Sequence, residues 1–133
     1  RIRPKIREYI DGTISLAKEQ GYVETLFGRR RQTPDVKSSN FVVRSAAERA
    51  AANMPIQGTE ADLMKMAMLE VDEKLAGVGE QLLQIHDSIL VECPKENAEK
   101  VSEILKETME NIYPRLGISL KVDVSVGENW GEV

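Results

Sequence analysis

Apolar residues recur at helical spacing in several stretches of the chain. The first stretch predicts an amphipathic helix over residues 3–20, followed by Gly21 as a left-handed cap. A long helix is also predicted over residues 95–113, where Pro114 and Gly117 mark the end. The apolar positions of the first helix are Ile2, Ile6, Tyr9, Ile10, Ile14 and Ala17.

An alanine-rich stretch from Phe41 to Met54 predicts a further helix, because alanine has the highest helix propensity. Pro55 cannot donate a hydrogen bond and its ring clashes with the preceding turn, so we expect this helix to end or kink near Asn53. Another helix is expected to begin at Thr59, where Asp62 three positions later completes a variant of the capping box.

Shorter apolar runs predict strands in three places. Residues 22–26 and 29–32 flank a Phe-Gly turn and predict a short hairpin, named here the first hairpin. Two apolar arms within Leu82–Glu92 predict a second hairpin, and strict alternation over residues 119–126 predicts a half-buried strand. The expected fold class is α+β: the second hairpin and the C-terminal strand form a small antiparallel sheet covered by long helices.

Composition is that of a single domain with its own core, with 133 residues and 41% hydrophobic content. No apolar run approaches the roughly 18–20 residues of a membrane span, and the first ten residues carry charges throughout, so we expect a cytoplasmic chain without a membrane segment. One cysteine, Cys93, and one histidine exclude a Cys/His zinc cluster, so any metal would have oxygen ligands.

Charge is distributed unevenly between the two parts of the chain. Residues 1–50 carry 11 Lys or Arg and 6 Asp or Glu, whereas residues 51–133 carry 7 and 16. The asymmetry is typical of a chain in which one part faces a polyanion. Segregation of ordinary solvated charges is the alternative interpretation.

The tip of the second hairpin contains the only histidine, His86, followed by Asp87 and Ser88. Asp and Ser are common turn residues, so an ordinary tight turn is one interpretation. The other is a functional site, because burying both arms leaves this charged tripeptide as the part that must reach water, a ligand or a metal.

Three polar residues of the alanine-rich region are candidates for a binding surface. Arg49 and Asn53 are four residues apart and share a helix face, and Gln57 follows just past the proline. Arg, Asn and Gln side chains form the forked hydrogen bonds that recognise base edges and phosphates. An exposed polar stripe without function is the alternative.

Five sequence blocks, in this order, resemble the C-terminal part of the family A DNA polymerases, which include bacterial DNA polymerase I. The resemblance covers nearly the whole chain. The blocks are GYVETLFGRRR (residues 21–31), PDVKSSN (34–40), AAERAAANMPIQGTEADLMKMAM (46–68), QIHDSILVE (84–92) and VGENW (126–130).

The resemblance implies catalytic and DNA-binding roles for the candidate residues. Asp87 matches the carboxylate that, with a second aspartate from an earlier strand, binds two Mg²⁺ ions, and His86 matches the residue beside the primer terminus. The resemblance places Arg49, Asn53 and Gln57 against the nascent duplex, from the minor groove.

The second arm of the first hairpin begins with three consecutive arginines, Arg29, Arg30 and Arg31. The resemblance implies that they approach backbone phosphates near the primer. An edge strand that is kept soluble by its charge is the alternative interpretation.

Two departures from the family narrow this expectation. Ser88 stands where the family usually has a glutamate, and the HDS tripeptide is similar to that of single-subunit phage-type RNA polymerases. The chain also lacks the earlier palm strand with its catalytic aspartate and the fingers helix with the lysine and tyrosine that bind the incoming nucleotide. Because it starts at Arg1 without a methionine, residues 1–133 are interpreted as an N-terminally truncated polymerase domain.

The resulting hypothesis is the C-terminal palm portion, with adjoining duplex-holding helices, of a DNA-directed DNA polymerase of replication and repair. Its expected partners are primer-template DNA, deoxynucleoside triphosphates and the missing palm and fingers segments, in the bacterial cytoplasm and nucleoid. The isolated chain is expected to be inactive, because one carboxylate cannot assemble a two-metal site. The alternatives are a non-catalytic duplex-binding module and a fragment of a single-subunit RNA polymerase.

Overall fold

The structure, a computed structural model, describes residues 3–133; Ile2, which the helical pattern included, lies outside the described residues. The chain forms two compact units, of which the first ends at Asp62 and the second runs from Leu63 to Val133. Within residues 3–133, no helix combines the length and the apolar character needed to cross a membrane.

The first unit begins with the helix predicted from the apolar spacing. Helix α1 spans Pro4–Gln20 and ends at Gly21, which adopts φ 84° and donates its amide to the Ala17 carbonyl at 2.9 Å. A positive φ of this kind favours glycine, which explains why the helix ends here. The prediction of a helix over residues 3–20 is confirmed.

The first hairpin follows directly and is also confirmed. Strand β1 (Tyr22–Glu24) pairs antiparallel with β2 (Arg30–Gln32), and Val23 lies opposite Arg31. Val23 is only 2% exposed. It belongs to a small core formed by Ala17, Val23, Val36, Ala51 and Met54.

Helix α2 spans Phe41–Lys74 without interruption, so it does not end near Asn53, and the prediction of a new helix start at Thr59 is wrong. Proline removes only one helical hydrogen bond, and other contacts offset that loss. The Thr59 hydroxyl donates to the Pro55 carbonyl, one turn earlier in α2, instead of capping a helix. The Tyr9 hydroxyl donates to the Ala52 carbonyl at 3.2 Å, in the turn preceding the proline.

The second unit contains the rest of α2 and the second hairpin, whose prediction is confirmed. Strand β3 (Glu80–Ile85) pairs antiparallel with β4 (Ser88–Glu92), with a register shift between Gln81 and Leu83. Helix α3 (Ala98–Glu110) completes the unit. The core is formed by Val71, Leu75 and Val101, with Val78, Val91, Cys93, Ile104, Leu105 and Met109 packed against it.

The structure corrects the bounds of the helix predicted over residues 95–113. This segment begins as a 3₁₀ turn, Lys95–Asn97, and α3 ends at Glu110. It ends there because the Asn111 side chain bonds to the Glu107 carbonyl at 2.9 Å, in competition with the helical backbone.

The C-terminal segment, residues 119–126, is not a strand of either sheet, so its predicted place in the small sheet is wrong. Burial alternates as predicted as far as Val124, because Leu120, Val122 and Val124 are half-buried while the polar residues between them are exposed; Val126 is exposed, contrary to the prediction. A strand requires a neighbouring strand, and no described segment pairs with this one. The Val122 amide instead donates to Glu110 Oε1 at 3.2 Å. The fold class remains α+β, with two separate two-stranded sheets.

Candidate nucleic-acid interface and hairpin carboxylate

The tip of the second hairpin presents two polar side chains to solvent. His86 adopts φ 52°, a conformation uncommon for residues other than glycine. The Ser88 hydroxyl donates to the Ile85 carbonyl at 2.9 Å, and the Gln84 side-chain amide donates to the His86 carbonyl. Both bonds go to the backbone, which leaves the His86 imidazole and the Asp87 carboxylate exposed and free to meet a ligand.

Asp87 does not form a metal site with the residues around it. Across residues 3–133, no three His, Cys, Asp or Glu side chains come close enough together to hold a metal ion. A stable Mg²⁺ site requires several oxygen ligands in near-octahedral geometry. The chain therefore offers one carboxylate ligand at this tip, and its own residues alone do not fit the ion.

A row of three polar side chains lies on α2. Because the helix continues through Pro55, Arg49, Asn53 and Gln57 occupy successive i, i+4 positions on one side of it. At 1.5 Å per residue, the row extends over about 12 Å. All three residues are exposed, and none forms a side-chain hydrogen bond with another described residue. The row is therefore available to a partner outside the chain.

The three arginines of the first hairpin have different surroundings. Arg29 Nε donates to Asp62 Oδ1 at 2.7 Å, and Arg30 Nε donates to Glu24 Oε1 at 3.0 Å. The Arg30 guanidinium also lies over the Tyr22 ring, 4.4 Å from its centroid. Arg31 is exposed and has no ion pair or side-chain hydrogen bond within the described part of the chain.

The candidate residues are divided between the two units. The arginines and the polar row of α2 belong to the first unit, and His86, Asp87 and Ser88 belong to the second. Sequence reasoning missed the partners of Arg29, which are Gly58 and Asp62. The local pattern predicts Thr59 and Asp62 as helix-capping residues, and nothing in it links them to an arginine some thirty positions earlier.

One ion pair in the first unit connects α1 to α2 and shifts a pKa. Lys18 Nζ lies 2.9 Å from Glu48 Oε1. The hydrogen bond from Lys18 holds the pKa of the Glu48 carboxyl below its ordinary value; partial desolvation opposes this shift, and the charges of Lys18 and Arg44 reinforce it. The pair therefore favours the ionised form of Glu48 in the folded protein.

Comparison with known proteins identifies the family. The model of DNA polymerase family A matches residues 2–132, and the chain belongs to that family. The resemblance based on five sequence blocks is thereby confirmed.

Similar curated proteins include the thermostable DNA polymerase I of Thermus aquaticus, which is 51% identical over 128 residues. DNA polymerase I of Deinococcus radiodurans is 49% identical over 128 residues. Each alignment covers 96% of this chain but only 15% and 13%, respectively, of those relatives.

A solved structure of the POL domain of Pol1 from M. smegmatis, in complex with DNA primer-template and dNTP, also resembles the chain. The TM-score is 0.77 and the sequence identity is 43%, over 81% of this chain and 20% of that one. The likeness therefore extends from sequence to fold, over a small part of each relative.

Proposed function

We propose that the chain is the C-terminal portion of a template-directed DNA polymerase, in which it provides primer-template contacts and one metal-binding carboxylate. The observation that carries the proposal is the exposed row of Arg49, Asn53 and Gln57 on a single helix of a family A chain. In the complete protein, deoxynucleoside triphosphates are the substrates and the bacterial cytoplasm and nucleoid the location.

The duplex is the partner that best fits this row. The side chains of the row supply hydrogen-bond donors about one helical turn apart, and every base pair of a duplex presents acceptors in the minor groove. Acceptors common to all base pairs permit a check of pair geometry without reading of sequence. Arg31, which has no ion pair or side-chain hydrogen bond among residues 3–133, is the best candidate of the three arginines for a backbone phosphate.

Asp87 is proposed as one ligand of a Mg²⁺ site that other segments of the polymerase complete, and His86 as a neighbour of the primer terminus. Both side chains are exposed at a hairpin tip whose backbone is held by Ser88 and Gln84. In two-metal polymerases, bound Mg²⁺ neutralises charge that develops on the transferring phosphoryl group. Asp87 is the only carboxylate at this tip, because Ser88 occupies the next position.

Binding and extension assays on the 133-residue chain test the two parts of the proposal separately. We expect the chain to bind a primer-template duplex at low salt, with an affinity that falls as salt rises, and to extend no primer with Mg²⁺ and all four deoxynucleotides. Absence of binding at low salt would contradict the duplex contact. Robust template-directed synthesis would contradict the incomplete metal site.

Matched variants show whether the row on α2 is the binding surface. Arg49→Ala and Arg115→Ala each remove one positive charge from an exposed position, but Arg115 belongs to the second unit and is not part of the polar row on α2. We expect Arg49→Ala to weaken duplex binding about tenfold and Arg115→Ala to change it less than about twofold. Equal losses would indicate a diffuse electrostatic attraction in place of a defined surface.

A further inference from the structure

The guanidinium of Arg29 is already engaged within the first unit. Its Nε donates to Asp62 Oδ1 at 2.7 Å, and its Nη2 donates to the Gly58 carbonyl at 3.2 Å. The Asp62 side chain is only 13% exposed, so the arginine neutralises a largely desolvated carboxylate. A planar guanidinium can hold both acceptors at once, whereas a lysine ammonium is a point charge.

Two threonines reinforce the same junction between the first hairpin and α2. The Leu26 amide donates to Thr59 Oγ1 at 2.9 Å, and that hydroxyl in turn bonds to the Pro55 carbonyl. Thr25 Oγ1 accepts the amides of Phe27 and Arg29, each at 3.2 Å, and so shapes the hairpin turn. The turn is thereby attached to the helix through several independent hydrogen bonds.

Close packing at Gly58 completes the junction. A Cβ atom at this position would lie 2.6 Å from Thr25 Cγ2 and 3.4 Å from Met54 Cε. Real Cβ atoms do not approach a neighbour as closely as the first of these distances. The hairpin therefore sits directly on the helical backbone, where only glycine leaves enough space.

These contacts bracket Gln57 on both sides. The Pro55 carbonyl, the Gly58 carbonyl and the Thr59 hydroxyl are all bonded to the hairpin network, while the Gln57 side chain points to no partner in the described chain. Pro55 removes the amide that would bond to the preceding turn, so this part of α2 has weaker internal support than an ordinary helix. External contacts thus determine where the backbone of Gln57 lies.

We infer that Arg29 is a positioning residue that holds the turn of α2 carrying Gln57, so that Gln57 reaches the minor groove at a fixed distance. This role rests on the proposed function, in which Gln57 contacts the duplex. It assigns Arg29 to contacts within the first unit and leaves phosphate contact to Arg31, although the two are only two residues apart on the first hairpin.

A double-mutant cycle in the complete polymerase tests this role. The variants are Arg29→Ala, Gln57→Ala and the double variant. The readout is the ratio of extension rates on a normal duplex and on one whose purines lack the minor-groove N3 acceptor. We expect each single variant to lower this ratio about tenfold and the double variant to lower it no further, because both changes remove the same contact.

Arg31→Ala is the matched control. If it is a phosphate contact, it should weaken binding to both duplexes equally, reduce the salt dependence by about one unit of slope, and leave the ratio unchanged. The inference is overturned if Arg29→Ala lowers the ratio as strongly in the Gln57→Ala background as in the parent. If Gln57→Ala itself leaves the ratio unchanged, the duplex contact fails, and the role of Arg29 fails with it.

A second pair of variants keeps the test valid if Arg29→Ala does not fold. Thr59→Val removes the acceptor of the Leu26 amide at similar side-chain volume, and Thr59→Ser retains it. We expect Thr59→Val to lower the ratio several-fold at the same kcat on the modified duplex, and Thr59→Ser to restore the parental value. Equal ratios for the two variants, with both folded, would contradict the positioning role.

Discussion

The two hairpins of this protein differ in strand length, with three residues per strand in the first and five or six in the second, and in how their turns are held. In the first hairpin, the Arg29 side chain donates to Asp62 of α2, and the Leu26 backbone amide donates to Thr59 Oγ1 of the same helix. In the second, the bonds at the tip remain within the hairpin, from Ser88 to Ile85 and from Gln84 to His86. Both hairpins carry charged residues at or beside the turn, yet only the first pairs one of them with a distant residue.

The difference shows that charge at a turn does not by itself indicate a binding site. In the first hairpin, the arginine beside the turn neutralises a carboxylate that is 13% exposed, so it contributes to structure. In the second hairpin, the charged residue of the tip, Asp87, is exposed and has no partner within the described chain, so it is available to a ligand. The two hairpins therefore differ in whether the charged residue at the turn is already paired within the protein.

The largest expected effect tests the second hairpin. Asp87→Asn keeps the shape of the side chain but removes its charge, and we expect single-turnover primer extension by the complete polymerase to fall on the order of a thousandfold. Because the exposed Asp87 side chain has no hydrogen bond or ion pair among residues 3–133, the melting temperature should remain unchanged. A large fall in melting temperature would show that the tip is structural and would abolish the contrast between the hairpins.

A substitution at Gly58, where the first hairpin packs on α2, should lower the stability of the fold. Gly58→Ala places a Cβ atom 2.6 Å from Thr25 Cγ2, and we expect unfolding free energy to fall by about 1–3 kcal/mol through overpacking. Gly12→Ala is the matched control, because its Cβ meets no atom within 4 Å and it lies inside α1. That change should stabilise the protein by about 0.5–1 kcal/mol. Equal denaturant midpoints for the two variants would contradict close packing of the hairpin on α2.

The smallest expected effect concerns the ion pair between α1 and α2 in the first unit. Because the folded-state pKa of Glu48 is lowered, its pairing with Lys18 stabilises the fold above the unfolded-state pKa. This stabilisation is lost as pH falls through the folded-state pKa. Melting curves of the parent and Glu48→Gln should therefore differ slightly at neutral pH and coincide at about pH 3. If the melting temperatures of the parent and Glu48→Gln still differed at about pH 3, the effect of the substitution would come from packing and not from the charge of Glu48.

Local sequence patterns were sufficient for the elements whose stability is local. Helix α1, with its cap at Gly21, and both hairpins follow from apolar spacing and turn residues within a few positions. The alternation around Val122 likewise predicts which side chains are half-buried, but it contains no information about whether a neighbouring strand is present.

The predictions that failed depend on contacts between distant residues. Proline ends most helices, yet α2 continues through Pro55, where Tyr9 and Thr59 bond to carbonyls of the neighbouring turns. The pairing of Arg29 with Asp62 joins residues 33 positions apart, and no periodicity relates them. The candidates of the hairpin tip and of α2 follow from residue type and spacing, whereas their expected roles come from the resemblance to the family.

The unequal surroundings of the three arginines also affect how the chain attracts a polyanion. A guanidinium that is already paired with a carboxylate adds little net positive charge, so it neutralises a phosphate poorly and displaces few of the cations condensed on a nucleic acid. Arg29 and Arg30 are in this situation, and Arg31 is not. The run of three basic residues therefore acts toward a nucleic acid as about one effective charge, and the formal charge of the sequence overstates the electrostatic strength of this strand.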